Sequence, residues 1–485
     1  MQKPLSEDFV RSVVEEVMQN LRSGPNGPTT SPSSTTTSCS CNGKLGVFPD
    51  ANSAAAAARV AFGQLRTKGI EGRVKVVEIV KSICTEKTRE WGELEFAETG
   101  IGRLDHKIAK LEGIQGLPSV EWLRPYGMSG DHGISMEENT PFGVVGAITP
   151  VTHSIPTLAC NVINIVAAGN TVVFNAHPGG AKCAAEAVRT FNRAIERELG
   201  ISNIVTIIET PTLDSFNDLC ASDDVNLLVI TGGPGVVDAA MQSGKRAICA
   251  GPGNPPVVVD DSARLDKAAK DIIFGASFDN NLLCIGEKQI FVLDSIYNKF
   301  LDAFKRAGAA QLNPSQLAAV SKEAFDTSSG AGGCSHPVLN RDLVGASPKK
   351  LAAIAGASIP SGTELLFAET DADHVFVKEE QMMPLVPVIR VKDMQQAIEY
   401  AKESEHGYKH SSMIHTLNVE HMTWMAKALD STLFVKNGSC LAGLGNGGEG
   451  YGSFSIATTT GEGITTPLTF TRKRRCVMVD NLNSF

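Results

Sequence analysis

Runs rich in β-branched residues, Ile204–Ile208, Leu227–Ile230 and Val257–Val259, alternate with helix-length stretches such as Gly180–Glu198 and Gly235–Ser243. Strands apolar at every position are buried on both faces, and helical segments between them supply the crossovers that parallel strands require. The chain therefore reads as α/β. Other strands are predicted at Glu137–Ile148 and Thr171–Asn175, with helices over Asp50–Thr67 and Glu71–Thr99 and, after a break, through Lys107. A second series starts at Lys288–Leu293 and runs through Val386–Val391 and the helix Asp393–Ser404 to about Val435. A chain of 485 residues exceeds one compact core, so two α/β halves are expected.

The remaining composition excludes several classes. The longest apolar stretch, Leu158–Phe174, is interrupted by Asn161, Asn164, Gly169 and Asn170, so no membrane span is expected. Net charge is −9 and the basic residues cluster only at Arg472–Arg475, which argues against a nucleic-acid partner. The 11 cysteines include no CxxC pair, which fits neither a disulfide framework nor a zinc cage and points to a reducing compartment. His406 and His410 have no third ligand at metal spacing, and no metal site is predicted.

The N-terminus is set apart. Phe9, Val10, Val13, Val14, Val17, Met18 and Leu21 recur at spacings of three and four, which predicts an amphipathic helix over 1–22. The Ser/Thr/Pro/Gly tract 23–43 that follows cannot bury enough apolar surface to order itself, so the helix is expected to dock on a partner.

In open α/β sheets ligands gather beyond the carboxyl ends of strands. Gly232-Gly233-Pro234-Gly235 follows one predicted strand and opens a helix, which suits backbone approaching a phosphate or nicotinamide, although a plain turn explains it as well. Cys284, in Asn280-Asn281-Leu282-Leu283-Cys284-Ile285-Gly286-Glu287-Lys288, lies in a loop just before a predicted strand. A thiol there is a candidate nucleophile.

Three stretches, Ile148–His153, Ala167–Phe174 and Ala176–Lys182, followed by the Cys284 loop and Glu380–Pro384, resemble the aldehyde dehydrogenase superfamily in content and order over roughly 44–485. Gly251–Pro256, Leu282–Lys288, Gly445–Tyr451 and Thr460–Gly463 are similar to the branch of CoA-acylating propionaldehyde and acetaldehyde dehydrogenases of bacterial microcompartments. The resemblance implies two Rossmann-like α/β domains with a small β arm. A cofactor-binding domain is expected over 44–118 and 141–252, a catalytic domain over 253–463, and a bridging arm over 119–140 and 464–485. It also implies that Cys284 attacks a short aliphatic aldehyde, propionaldehyde, acetaldehyde or lactaldehyde, that hydride passes to NAD rather than NADP, and that coenzyme A takes the acyl group.

Residue roles follow by position. Glu380 matches the glutamate that holds the nicotinamide ribose, and Gly232, Gly233 and Pro234 the turn beside the cofactor, with His177 and Pro178 near its adenosine end. Thr152, beside His153, stands where the superfamily commonly carries an Asn oxyanion donor. Cys249 occupies the position of the glutamate that activates water in hydrolytic members, so a thioester product is implied. A hydrolytic enzyme making free acid, and a non-catalytic shell-associated scaffold, are the alternatives. The arm implies a homodimer or dimer of dimers, and the branch implies a microcompartment lumen where 1–22 meets a shell protein or another cargo enzyme.

Overall fold

The computed structural model describes residues 43–326 and 337–480. The expectations for 1–22 and almost all of the 23–43 tract lie outside the described residues. Among those described, two parallel sheets carry the architecture. The first has strand order Val47–Phe48, Val205–Ile208, Thr171–Ala176, Val144–Thr149, Val225–Thr231, Ala247–Ala250. The second has the order Ala310–Leu312, Leu366–Thr370, Leu385–Val391, Gln289–Leu293, Pro256–Val259, Ser411–His415, Leu433–Lys436. The central strands of both are buried at nearly every position, as their unbroken apolar runs require.

A three-stranded antiparallel sheet of Tyr126–Gly130, Gly133–Pro141 and Thr471–Met478 forms an arm. The single strand expected over Glu137–Ile148 is in fact two, one in the arm and one, Val144–Thr149, in the first sheet. The chain turns between them at Gly143, whose φ of 136° an L side chain rarely adopts, and Asn170 Oδ1 accepts the N–H groups of Phe142 (2.7 Å) and Gly143 (2.9 Å). Within the expected arm segment 464–485 the strand starts at Thr471, behind a 3₁₀ turn over Pro467–Phe470.

Helix boundaries follow the local chemistry. Asp50 caps Ala51–Glu86 by accepting the Ser53 N–H (2.8 Å), and the break expected after Thr67 falls at Gly69, where φ is 64°. Asp393 caps Met394–Ser404 through Gln396 N–H (2.9 Å). No described helix is long and apolar enough to cross a membrane.

Candidate active site

The site residues expected from sequence sit at opposite ends of the strands in the two sheets. The first offers residues beyond its carboxyl ends, namely His153 after Val144–Thr149, His177 and Pro178 after Thr171–Ala176, and Gly232–Pro234 after Val225–Thr231. The second offers residues that precede its strands: Gly253 before Pro256–Val259, Cys284 before Gln289–Leu293, Glu380 before Leu385–Val391 and His410 before Ser411–His415. The carboxyl-end rule therefore describes the first sheet and fails for the second. There, long side chains cross-link the amino ends instead. Gln381 donates to Lys288 O (2.9 Å) and Leu385 O (3.1 Å), and Gln289 to Asn254 O (3.0 Å).

The Cys284 loop is built on three consecutive left-handed residues, Asp279, Asn280 and Asn281, with φ of 50°, 56° and 63°. Asp and Asn tolerate that region better than other side chains, and each here is held by its own contacts. Asp279 accepts Arg103 N–H (2.7 Å), Asn280 donates to Gly345 O (2.8 Å) and Asn281 to Glu287 O (3.0 Å). Lys288 returns bonds to Asn281 O (2.8 Å) and Oδ1 (2.9 Å). Glu287, pushed up to about 7 by burial, accepts Cys440 N–H (2.8 Å). Both charged neighbours of Cys284 are thus structural supports of its loop.

Cys284 opens on a cavity of about 150 Å³, enclosed by apolar side chains that include Leu117, Phe278, Leu283, Leu441 and Phe454, with His153 and Asn446 among the polar ones. No Asp or Glu lines it. Burial pushes the Cys284 thiol up to about 12, the Glu380 carboxylate adds to this, and Lys288 opposes it. Glu380 lies 3.8 Å from Lys288 Nζ, and burial raises its own carboxyl while Lys288 and the Gly253 N–H lower it. His410 is buried against Gly253, where an added Cβ would lie 2.9 Å from its ring and 2.6 Å from Cys284 O. Only a position inside a helix-ending loop was legible for this histidine from sequence.

His153 reaches the cavity wall, whereas Thr152 takes part through its carbonyl, which accepts from Lys107 (3.3 Å) and Lys110 (3.4 Å). Next to His153, Lys107 pairs with Glu95 (3.0 Å), and Lys110, which also lines the cavity, hydrogen-bonds both Asp279 and His153 Nδ1 (2.8 Å for the latter). This buried cluster gave no sequence signal, because its members come from four separate segments.

Gly232 and Gly233 have no protein side chain crowding them: nothing lies within 3.8 Å of an added Cβ at the first and nothing within 4 Å at the second. Gly233 heads the helix Pro234–Gln242 with no side-chain cap, so room and backbone N–H groups are both left for a phosphate-bearing ligand. His177 and Pro178 are exposed beside it, His177 Nδ1 accepting Gly179 N–H (3.0 Å). Cys249 is buried in Ala247–Ala250, its N–H donating to Thr460 Oγ1 (2.9 Å), and burial with Glu462 raises its thiol to about 11. One trio of potential metal ligands, Asp260, Asp261 and His421, lies beyond the far end of Pro256–Val259, and Asp260 is already taken up by Ser262 and His421.

The chain resembles known proteins over most of its length. The chain is 40% identical over 90% of its length to the acetaldehyde dehydrogenase (acetylating) of Salmonella typhimurium, covering 93% of that protein. It is 36% identical to the propanal dehydrogenase (CoA-propanoylating) of Citrobacter freundii, over 90% of this chain and 94% of that one. The fold superposes on the propionaldehyde dehydrogenase of Rhodopseudomonas palustris with bound propionyl-CoA at a TM-score of 0.87, with 37% identity over 94% of this chain and all of that one. A propionaldehyde dehydrogenase from the fucose utilisation bacterial microcompartment of Clostridium phytofermentans gives 0.87 at 40% identity, over 90% and 99% of the two chains. The profile of the aldehyde dehydrogenase family matches residues 22–322 and 362–455, and the chain belongs to that family.

Proposed function

We propose that the protein oxidises a short aliphatic aldehyde, propionaldehyde or acetaldehyde, to its acyl-CoA with NAD as oxidant. The cavity carries this reading: Cys284 faces an apolar pocket of about 150 Å³, a volume that accommodates a ligand of benzene size, and no carboxylate lines it to activate water. Cys284 loses its thiol proton to solvent and adds as the thiolate to the carbonyl carbon, and the carbonyl electron pair moves to oxygen, giving the thiohemiacetal oxyanion. Its collapse re-forms the carbonyl and expels hydride, leaving a thioester on Cys284. When bound, the nicotinamide dinucleotide supplies the hydride acceptor. Glu380 and the Gly232–Pro234 turn are the residues placed to hold that cofactor, with His177 and Pro178 toward its other end. The CoA sulfur then attacks the thioester, forming acyl-CoA and freeing the Cys284 sulfur. Product analysis tests this: acyl-CoA in step with NADH supports it, and free acid formed equally well without CoA overturns it.

We infer further that the protein works in a microcompartment, with 1–22 docked on a shell protein or another cargo enzyme, and as a homodimer or dimer of dimers. The dimer reading rests on Thr471–Met478, an edge strand of the arm sheet with Val477 58% exposed. An edge strand leaves backbone N–H and C=O groups that a second copy can take up.

A further inference from the structure

No carboxamide stands at Thr152 to donate to the reacting oxygen, and the buried cluster around His153, on the cavity wall, offers another donor. Lys110 Nζ lies 2.8 Å from His153 Nδ1. Burial lowers this lysine to about 8, so at neutral pH it is an ammonium and can only donate. Nδ1 must then accept, which puts the proton of the neutral ring on Nε2, at the edge away from Lys110. Burial, Lys110, Lys107 and Lys288 lower the ring's pKa well below the usual histidine value and hold it neutral, against a smaller opposing contribution from the Thr152 backbone carbonyl. The opposite tautomer, with Nδ1–H turned to the Thr152 carbonyl, would set two donors against each other at the Lys110 contact. That carbonyl is already served by Lys107 and Lys110.

The surrounding bonds fix the arrangement. His153 precedes the helix Ser154–Ala167, whose Ile155 N–H is taken by Glu95 (2.9 Å), the same carboxylate that pairs with Lys107. Asp279 pairs with Lys110 and Lys107 and begins the left-handed run that leads to Cys284. One carboxylate therefore joins the nucleophile's loop to the lysine that orients the histidine.

We propose that Lys110 is a positioning residue that locks His153 as the Nε2–H tautomer, making this N–H the side-chain donor to the thiohemiacetal oxygen on Cys284. The inference rests on Cys284 being the nucleophile. As the sulfur adds, negative charge gathers on oxygen and His153 donates without giving up its proton. When the carbonyl re-forms, the hydrogen bond relaxes. A preset donor of this kind is worth about 10²- to 10³-fold in turnover.

The test is a double-mutant cycle on the NADH burst of the full-length enzyme with propionaldehyde. His153→Ala should slow the burst about 10²-fold or more with little change in cofactor binding. Lys110→Met should slow it at least tenfold, and should add almost nothing in the His153→Ala background, because the lysine acts only through the histidine. Since Lys110→Met strands the Asp279 charge, Lys110→Met with Asp279→Asn is measured alongside and should show the same non-additivity while folding normally. ¹⁵N-labelled histidine should show His153 with an unprotonated Nδ1, and loss of that signature in the lysine variants. Additive losses, or an Nδ1–H tautomer in the wild type, overturn the proposal. If Cys284→Ala kept its burst, the functional reading itself would fall instead.

Discussion

Gly253 is the position where one methyl group should test how closely the site is built. An alanine Cβ there would lie 2.6 Å from the Cys284 carbonyl oxygen and 2.9 Å from the ring of His410, which is buried and bonded to Ser411 (2.9 Å), while the oxygen is backbone of a half-buried loop residue. Carbon and oxygen approach comfortably to about 3.3 Å, so the Cys284 loop or the Gly253 loop has to retreat by roughly 0.7 Å. A misplacement of about 1 Å at a reacting centre costs on the order of 10²-fold, so Gly253→Ala should lose about 10- to 100-fold in kcat/KM. In free energy that is about 1.4 to 2.7 kcal/mol of transition-state stabilisation. Overpacking should cost a further 1–3 kcal/mol or so of stability, seen as a lower Tm. The assay is steady-state NADH formation with propionaldehyde and CoA, well below the variant's Tm, with cofactor binding measured separately. Activity within about twofold of wild type would show that the loop is not held where the contacts place it.

Three other outcomes follow. Because only the thiolate is alkylated and burial raises Cys284 to about 12, iodoacetamide should label the free enzyme at a rate that climbs about tenfold per pH unit from 7 to 9 without a plateau. Glu380→Gln, which removes the negative charge that raises this thiol, should speed the labelling, and slower labelling would contradict the electrostatic account. Glu287 is raised from 4.5 to about 7, so the folded state holds its proton where the unfolded state has lost it, and stability should fall as pH rises from 4.5 to 7. Glu287→Gln should relieve up to ~3 kcal/mol of this at pH 8 and little at pH 4.5, read from urea unfolding. Deleting residues 1–42, or making Val13→Glu or Val17→Glu, should leave kcat unchanged while releasing the enzyme from co-expressed shells, and persistent co-sedimentation would rule out docking by this segment.

The α/β class was legible because strands buried on both faces need apolar residues throughout, and the runs at Ile204–Ile208 and Val257–Val259 leave little alternative. Element ends read less well where tertiary bonds decide them. Glu137–Ile148 looks like one strand, and only Asn170, a residue 28 positions beyond Phe142, bends it into two. Cys284 and Glu380 could be singled out through motif resemblance. His410 and Lys110 could not, since a histidine next to Ser411 and a lysine on an ordinary helix acquire meaning only when Gly253 and Asp279 are brought beside them. The run Asp279-Asn280-Asn281 did carry a physical signal, three residues that tolerate positive φ directly ahead of the cysteine.

The central claim, that Cys284 carries the acyl group and coenzyme A rather than water removes it, is tested most directly by trapping the enzyme. Incubated with propionaldehyde and NAD but no CoA, the protein should give one burst of NADH and then nearly stop. Intact-protein and peptide mass spectrometry should find a propionyl adduct on Cys284 alone, and adding CoA should discharge it as propionyl-CoA. Continued NADH formation with accumulating propionate, or an adduct on any other cysteine, would contradict the account.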